Sequence, residues 1–523
     1  MNEFVHRHAN DVMGVLSGWD RMLFRGTYRM LATARGLMNY LWKVQVKLKE
    51  FSEWSQALTG EIRRASERAM SEASRPMKYL NDPGVSKEDL ARSIAWRDRI
   101  EQGPVCLLSC VEPCWSYELH RDRQKKELEL VSRRRKCLHL YHYWMHEELG
   151  LMHARLQTWL PFNMKLCLNG REWLCRSLEK QGMRHVRREN CLVWIEDVAE
   201  AQRLLQKQSS TDWPRLLNGV ARAVSPASEK LLKWEDEPLS YYWSVDQSEW
   251  ASDVMFKRAG RLSALYPKLI RQGITTMGST TVMRFLERRV NQDGSIPARF
   301  AGEVISDLRQ RSDGVRIKHS INRNSVKMYD KQGSVLRVET TINDAGEFKV
   351  YRGTEAEPDK KQWRKMRKGV ADLHRRAQVS QACNDRYLSS LATIECGKTL
   401  EETVAPLCKP VRHKQRRWRG LRPLEAGDAQ LLAAVAQGEF AINGFRNRDI
   451  RVELFGPDPD DPRQTRRHSA STSRKLAMLR AHGLIRKVSR TQRWMLTETG
   501  RRFVTLLSAA KSADSEKLMK AAA

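Results

Sequence analysis

No pair of cysteines in this chain has CxxC spacing, and no His/Cys set has the spacing of a zinc finger. The ten cysteines are scattered, so neither a disulfide framework nor a structural zinc site is expected. Cys106, Cys110 and Cys114 are spaced by four; on a strand they share one face and read as small core residues. No uncharged apolar run approaches about 18 residues, which argues against a membrane span. The N-terminus lacks a basic segment followed by an apolar core, so no signal peptide is read and a cytoplasmic chain is expected. GxxxxGK[ST], HExxH, GxSxG and a Gly-rich dinucleotide fingerprint are all missing. Nucleotide hydrolysis and ordinary hydrolase chemistry lose their usual signatures with them.

Acidic residues are outnumbered: 93 Lys and Arg face 62 Asp and Glu over 523 residues, a net charge of +31 and a pI near 10. An excess of this size attracts polyanions by long-range steering and counterion release, and it is clustered. With 41% apolar residues and sixteen Trp, the chain can bury substantial cores. The expected partner is DNA or RNA, with no membrane.

The periodicities predict an α+β multidomain chain. Residues 1–100 read as mainly helical, with a hairpin over Val15–Gly26 around Ser17-Gly18-Trp19-Asp20, a helix over Thr27–Phe51, and another from Ser86. Residues 101–210 read as β-α-β-β-α-β-α, the ferredoxin-like βαββαβ plan. Its pieces are a strand from Pro104, a charged helix over Arg121–Lys136, strands Cys137–His146 and Leu151–Phe162, and a helix capped by Asn169 with Glu172 and closed by Gly182. A strand Cys191–Glu196 and a helix capped by Asp197 with Glu200 complete it. RNA-binding platforms, polymerase palms and rolling-circle endonucleases share that plan, so it does not choose a function.

Residues 211–310 form a helical connector whose aromatic run Tyr241–Trp250 suits either base stacking or packing on the central sheet. In 311–400, Gly314–Arg352 alternates as a four-stranded antiparallel meander, followed by a basic helix Lys360–Arg376. Alternation places Arg316, Lys318, Lys327, Tyr329, Arg337, Glu339, Thr341, Lys349 and Tyr351 on one set of faces, a basic surface suited to nucleic acid. Residues 401–422 read as a basic linker carrying Arg416, Arg417 and Arg419. Residues 423–510 read as three helices, two short strands around a basic tip, and a last helix; 511–523 are a tail.

That last segment resembles the winged-helix family, including MarR-like regulators. The resemblance rests on Ser473-Arg474-Lys475-Leu476, Leu479-Arg480-Ala481-His482-Gly483-Leu484-Ile485, a basic wing with Arg490 and Arg493, and Leu496-Thr497-Glu498-Thr499-Gly500-Arg501. It covers about 85 residues, with a Pro/Asp loop (Pro457–Arg467) before the third helix as an unusual insertion. The resemblance implies that the third helix enters the major groove and the wing touches the backbone. Arg474, Met478 and His482 then face outward with Lys475 on the flank, and Arg446 and Arg448 on the second helix add charge.

Three chemistries stay open. A rolling-circle-type site needs a His pair on one strand and a Tyr nucleophile. His153 is available, but Arg155 stands where the second His belongs. The stretch Ser325–Lys331 with Leu336–Glu339 resembles phage and plasmid replication initiators over about 20 residues, with Tyr329 as the candidate nucleophile. A carboxylate site holding Mg²⁺ or Mn²⁺ could draw on Asp20, Glu112 and Glu339, as in RNase H-like nucleases and transposases. The third reading is binding alone. The function expected is nucleic-acid binding in a prokaryotic mobile-element, replication or related system, with an endonuclease or transposase, a rolling-circle-type initiator, or a transcriptional regulator as alternatives.

Overall fold

The computed structural model describes residues 3–511 except 83, 123, 125, 292–294, 312–313, 355, 393–399, 438–439, 441–443, 458 and 490. It is a mixed α/β structure built on one large sheet. In chain order the strands are β1 (Val12–Thr27), β2 (Met77–Tyr79), β3 (Gly103–Asp122), β4 (Glu127–His146), β5 (Gly150–Gln157) and β6 (Met164–Asn169). Next come two small hairpins, β7 (His185–Arg188) with β8 (Cys191–Ile195) and β9 (Lys233–Trp234) with β10 (Glu237–Pro238). Then follow β11 (Tyr242–Phe256), β12 (Val304–Arg311), β13 (Gly314–Ile321), β14 (Asn324–Lys331) and β15 (Val335–Ile342). The eleven-stranded sheet runs β12-β13-β14-β15-β11-β1-β6-β5-β4-β3-β2. Among the described residues only the β2–β3 pairing is parallel. Residues from 1–100, 101–210, 211–310 and 311–400 all contribute strands to it.

Two long strands, β1 and β11, form the middle. Their register breaks between Trp19 and Arg21: Trp19 opposes Trp250 and Arg21 opposes Glu249, leaving Asp20 as an extra, bulged residue. The bulge turns both Asp20 and Arg21 to one face. Trp19, Met22 and Phe24 lie on the other, in the main apolar core. There Trp250 donates to Gln381 on the helix Leu373–Leu391 at 2.8 Å, and the helices Ala34–Lys43, Phe51–Glu72 and Trp213–Val224 complete the cover.

The opposite face is covered only in part. Helices Gly170–Lys180 and Val198–Gln206 lie over Leu16, Met255 and Val335. Helix Lys87–Arg97 lies over Cys106, Leu108, Tyr141 and Tyr143. Asn169 caps the first of these helices, accepting from the Arg171 and Glu172 amides at 2.9 and 3.3 Å, and Asp197 caps the second, accepting from Glu200 N at 2.9 Å. Glu172 does not reach back to Asn169; it pairs with Arg187.

Several expected elements differ. Val15–Gly26 is one strand rather than a hairpin, because β11 pairs with it along its length. Arg121–Lys136 is not a helix: it closes a hairpin of two 20-residue strands, in which Glu118 bridges Arg133 and Arg135 at 2.9 Å each. Cross-strand pairing decides such a charged segment, which has no apolar stripe to anchor a helix. The ferredoxin-like plan therefore does not form; β3 to β6 are an antiparallel meander. Within Thr27–Phe51 the α-helix is Ala34–Lys43. The four-stranded meander is β12 to β15, and Lys349–Arg352 pairs instead with Gln362–Lys365, part of the stretch expected as the basic helix.

The basic linker is a hairpin, Val411–His413 against Arg416–Trp418, turned by Lys414 and Gln415 at φ of 46° and 60°. The C-terminal unit has helices Ala426–Val435, Asn447–Phe455 and Pro462–Ala481, a hairpin Ile485–Lys487 with Trp494–Leu496, and a helix Glu498–Lys511 around its own core. The expected Pro/Asp loop is half helix, since Asp461 caps Pro462–Ala481 by accepting from Arg463 N at 2.9 Å.

Gly170 sits where the capped helix meets the β1 bulge. A Cβ there would lie 2.1 Å from Trp19 O, a backbone atom that cannot move aside alone. Gly170→Ala should cost about 1–3 kcal/mol in chemical denaturation. Gly219→Ala, at an exposed position of Trp213–Val224 with open space around it, should stabilise by about 0.5–1 kcal/mol.

Candidate functional site: a carboxylate centre on the sheet

Asp20 of β1, Glu249 of β11 and Glu339 of β15 converge where the helical cover of the second face ends. One carboxylate oxygen from each lies within 4.8 Å of the others. The sheet register explains the meeting: Glu249 opposes Arg21 and Thr341, and Glu339 opposes Ala251. The bulge brings Asp20 onto that face. Asp20 and Glu339 are buried, and Glu249 is the more accessible at the rim.

Cations hold the centre together. Arg337, fully buried, donates to both oxygens of Asp253 at 2.6 and 2.9 Å, to Asp20 Oδ1 at 3.3 Å and to Asn190 O at 3.1 Å. Arg171, from the capped helix, has its Nη2 3.0 Å from Asp253 Oδ2 and donates to Ala251 O at 3.2 Å. Lys327 Nζ lies 2.7 Å from Glu339 Oε1 and 3.6 Å from Glu249 Oε1. The Tyr329 hydroxyl donates to Glu339 Oε2 at 2.6 Å.

The protonation pattern follows. Burial would raise the Glu339 carboxyl, but the Lys327 ammonium and the hydrogen bonds from Lys327 and Tyr329 hold it down to about 2. Burial and the neighbouring Glu339 charge push Glu249 up to about 7, against the pull of Lys327. Burial also raises Asp20, opposed chiefly by Arg337. Burial and the Glu339 charge push the Tyr329 hydroxyl far above its ordinary value. A tyrosine held as a donor in this way is a poor nucleophile.

The expected site residues divide accordingly. Asp20, Glu339 and Tyr329 share this centre; Glu249 was missed, because its acid character was hidden in an aromatic run read only for stacking or packing. Glu112 lies on β3, four strands from β1, roughly 19 Å away at about 4.8 Å per strand. Its oxygens are occupied by Tyr141 at 2.8 Å, Arg155 at 2.7 Å and Lys87 at 3.4 Å. His153 is two strands from β1, packed against the rings of Tyr141 and Tyr143, and burial brings it down to about 4.

The sheet residues expected to form a basic surface have mostly internal work. Lys327 and Arg337 neutralise the carboxylate centre, which corrects the expectation of a basic face in contact with solvent. Arg316 and Lys318 are half-buried on β13, with Lys318 opposite Asp307 of β12.

The C-terminal cations are more open. Arg416 and Arg417 are exposed on the hairpin, with Arg416 over the Trp418 ring at 4.7 Å. Arg419 is committed to Asp428, with both contacts at 2.7 Å. Arg448 lies 3.6 Å from Asp449, and the Arg446 amide donates to the same residue at 2.8 Å. On Pro462–Ala481, Arg474 is exposed and Lys475 lies over the Phe455 ring at 5.8 Å. Met478 and His482 do not face outward: both are buried, and His482 contacts Arg419 O at 2.8 Å. The hairpin Val411–Trp418 and its continuation cover that side of the helix, and the sequence periodicity could not show this. Arg493 lies over the Tyr351 ring at 4.8 Å. Arg490 lies outside the described residues.

The raised Glu249 value makes a stability prediction. Its folded carboxyl keeps a proton that the unfolded chain has released above the ordinary value of 4.5. That contribution is full below 4.5 and is lost as pH rises to about 7. Glu339, held low, acts in a separate and more acidic window. Chemical denaturation of Glu249→Gln from about pH 5 to pH 7.5 should therefore show a flatter stability profile than the parent; an unchanged slope contradicts the assignment. Among the described residues no helix is long and apolar enough to cross a membrane. Compared with known proteins, the chain matches no protein-family model, no curated protein and no solved structure.

Proposed function

We propose that the protein binds nucleic acid, with its C-terminal unit acting as a winged helix whose Pro462–Ala481 helix enters the major groove. One observation carries this reading: that 20-residue helix contains no carboxylate. Arg463, Arg466, Arg467 and Arg474 are exposed on it, and none forms an ion pair with another described residue. Unpaired cations on an exposed helix whose acidic neighbours are confined to its start, at Asp460 and Asp461, are suited to phosphate. Arg486 and Lys487 extend the same charge into the following hairpin, and Arg412, Lys414, Arg416 and Arg417 supply a second exposed hairpin. A prokaryotic mobile-element or replication setting, or a role as a transcriptional regulator, would follow from which sites are bound.

Arg474→Ala should weaken binding to duplex DNA. Arg463→Gln with Arg467→Gln should lower the salt slope of log affinity by about 0.9 for each lost phosphate contact. Fluorescence anisotropy across a salt series measures both. Unchanged affinity and slope at moderate salt would remove this helix from the interface.

A second reading is favoured by the meeting of Asp20, Glu249 and Glu339: metal-dependent cleavage or strand transfer of the bound nucleic acid. Carboxylates on adjacent central strands are the donor type that Mg²⁺ and Mn²⁺ prefer. Such ions would polarise a phosphodiester and activate a water, with Lys327 beside them as a fixed cation. The tyrosine of a rolling-circle mechanism is not favoured, because Tyr329 is tied to Glu339.

Incubating the protein with single- and double-stranded DNA and Mn²⁺ should give cleavage that Asp20→Asn and Glu339→Gln abolish. Because Glu249 must lose its proton to ligate, Mn²⁺ affinity should rise as pH passes about 7. Binding without cleavage would leave the first reading alone.

A further inference from the structure

The uncovered part of the second sheet face holds a cavity of about 160 Å³, roughly five water volumes. Its walls include Arg25 of β1, Lys165 of β6 and Arg155 of β5. These three stand in one cross-strand row, since Lys165 opposes both Arg25 and Arg155. Like charges directly opposite one another on a sheet repel. Two carboxylates offset them in part: Asp246 lies 3.0 Å from Lys165 Nζ and 2.9 Å from Arg25 Nη2, and Glu112 lies 2.7 Å from Arg155 Nη2 and also takes Lys87. Cationic charge stays in excess around the space.

Hydrogen-bonding capacity is also left over. Arg155 Nε and Asn163 Oδ1 are buried without a partner among the described residues. The wall itself is fixed: Gln157 Nε2 donates to Trp115 O, Trp159 O and Leu160 O at 3.1, 2.9 and 3.1 Å. Trp115 meets this wall through its backbone carbonyl, since its side chain alternates to the other face with Val111 and Pro113. A rigid cavity with surplus cations and unused polar atoms supplies the cationic half of a single-strand site, the half that holds the backbone.

We propose that this cavity is a phosphate subsite for a single-stranded nucleic acid. The inference rests on the nucleic-acid reading above and adds a second, sheet-borne contact to it. The space suits one phosphate group, not a whole nucleotide. Arg21 lies on β1 between Arg25 and Asp20, so a strand held here and followed along β1 reaches the carboxylate centre after about 15 Å, at about 3.3 Å per residue. The subsite would thus present single-stranded substrate to that centre, while the C-terminal unit holds duplex.

The test uses the full chain with fluorescein-labelled oligodeoxythymidine and oligouridine in a salt series. Asn163→Ala, which removes an unused polar atom of the cavity wall, should weaken binding several-fold. Arg25→Gln with Lys165→Gln should lower the salt slope by about 0.7 for each lost contact. Lys165→Arg, which keeps the charge opposite Asp246, should bind close to the unmutated protein. Equal losses for both oligonucleotides identify a backbone subsite; a loss confined to one names the preferred strand. Asn163→Ala leaves the ion pairs untouched, so its result stands even if the charge variants fold poorly. Unchanged single-strand affinity in both variants, alongside weakened duplex binding in Arg474→Ala, overturns the subsite and spares the general reading. An unmutated protein that binds no oligonucleotide of any kind overturns the general reading itself.

Discussion

Charge compensation in the middle of the sheet is the constraint around which the structure is arranged. Arg337 has no solvent contact, and a guanidinium there is tolerable only if its donors are answered. Asp253 answers two of them, Asp20 another and Asn190 O another, which ties β15 to β11, to β1 and to the loop before β8. Arg171 joins from the helix that Asn169 caps. Helix placement, the β1 bulge and strand register are therefore coupled through one buried ion network. Gly170 must be small because the helix approaches the bulge so closely.

The same network explains the odd member of the centre. Asp20, Asp253, Glu249 and Glu339 share Arg171, Arg337 and Lys327, while Arg21, opposite Glu249, bonds to Cys167 Sγ at 3.2 Å, so Glu249 is the least compensated of the four. Glu339 takes Lys327 and Tyr329; Asp253 takes both arginines. Glu249, nearest the rim, bears the mismatch and is pushed up to about 7. A proton there is one way to balance the charge, and a divalent cation is another. The acidity of this centre and its readiness to change state are thus two results of the same shortfall.

Much of the local structure was legible in the residues: the caps at Asn169 and Asp197, the alternation of β13 to β15, and the helix–hairpin–helix order at the C-terminus. Long-range pairing was not. The run Arg133-Arg134-Arg135-Lys136 has the composition of a solvated helix, and only the partner strand, with Glu118 between two arginines, makes it β4. Asp20 and Glu339 could be suspected as strand carboxylates, but nothing local links them to Glu249. Their meeting depends on a bulge and on a strand order in which β11 and β1 are central neighbours despite more than 200 intervening residues. Met478 and His482 follow the same rule: helical periodicity turned them outward, and a distant hairpin covered them.

The net charge of the chain must accordingly be divided before it is read as function. Lys327, Arg337, Arg171, Arg375 and Arg376 are spent inside: the first three on carboxylates of the centre, Arg375 on Glu287 and the Lys349 carbonyl, and Arg376 on backbone and hydroxyl oxygens. Those paired with carboxylates cannot steer a polyanion, because their fields are cancelled at short range. The arginines of Pro462–Ala481 differ in kind, being exposed and without acidic neighbours on their helix. The row Arg25, Lys165 and Arg155 is intermediate, compensated in part and open to a cavity. Exposed positive charge is therefore found on the C-terminal unit and, compensated in part, on the uncovered sheet face, and the buried cations serve the geometry that brings those surfaces and the carboxylate centre into one molecule.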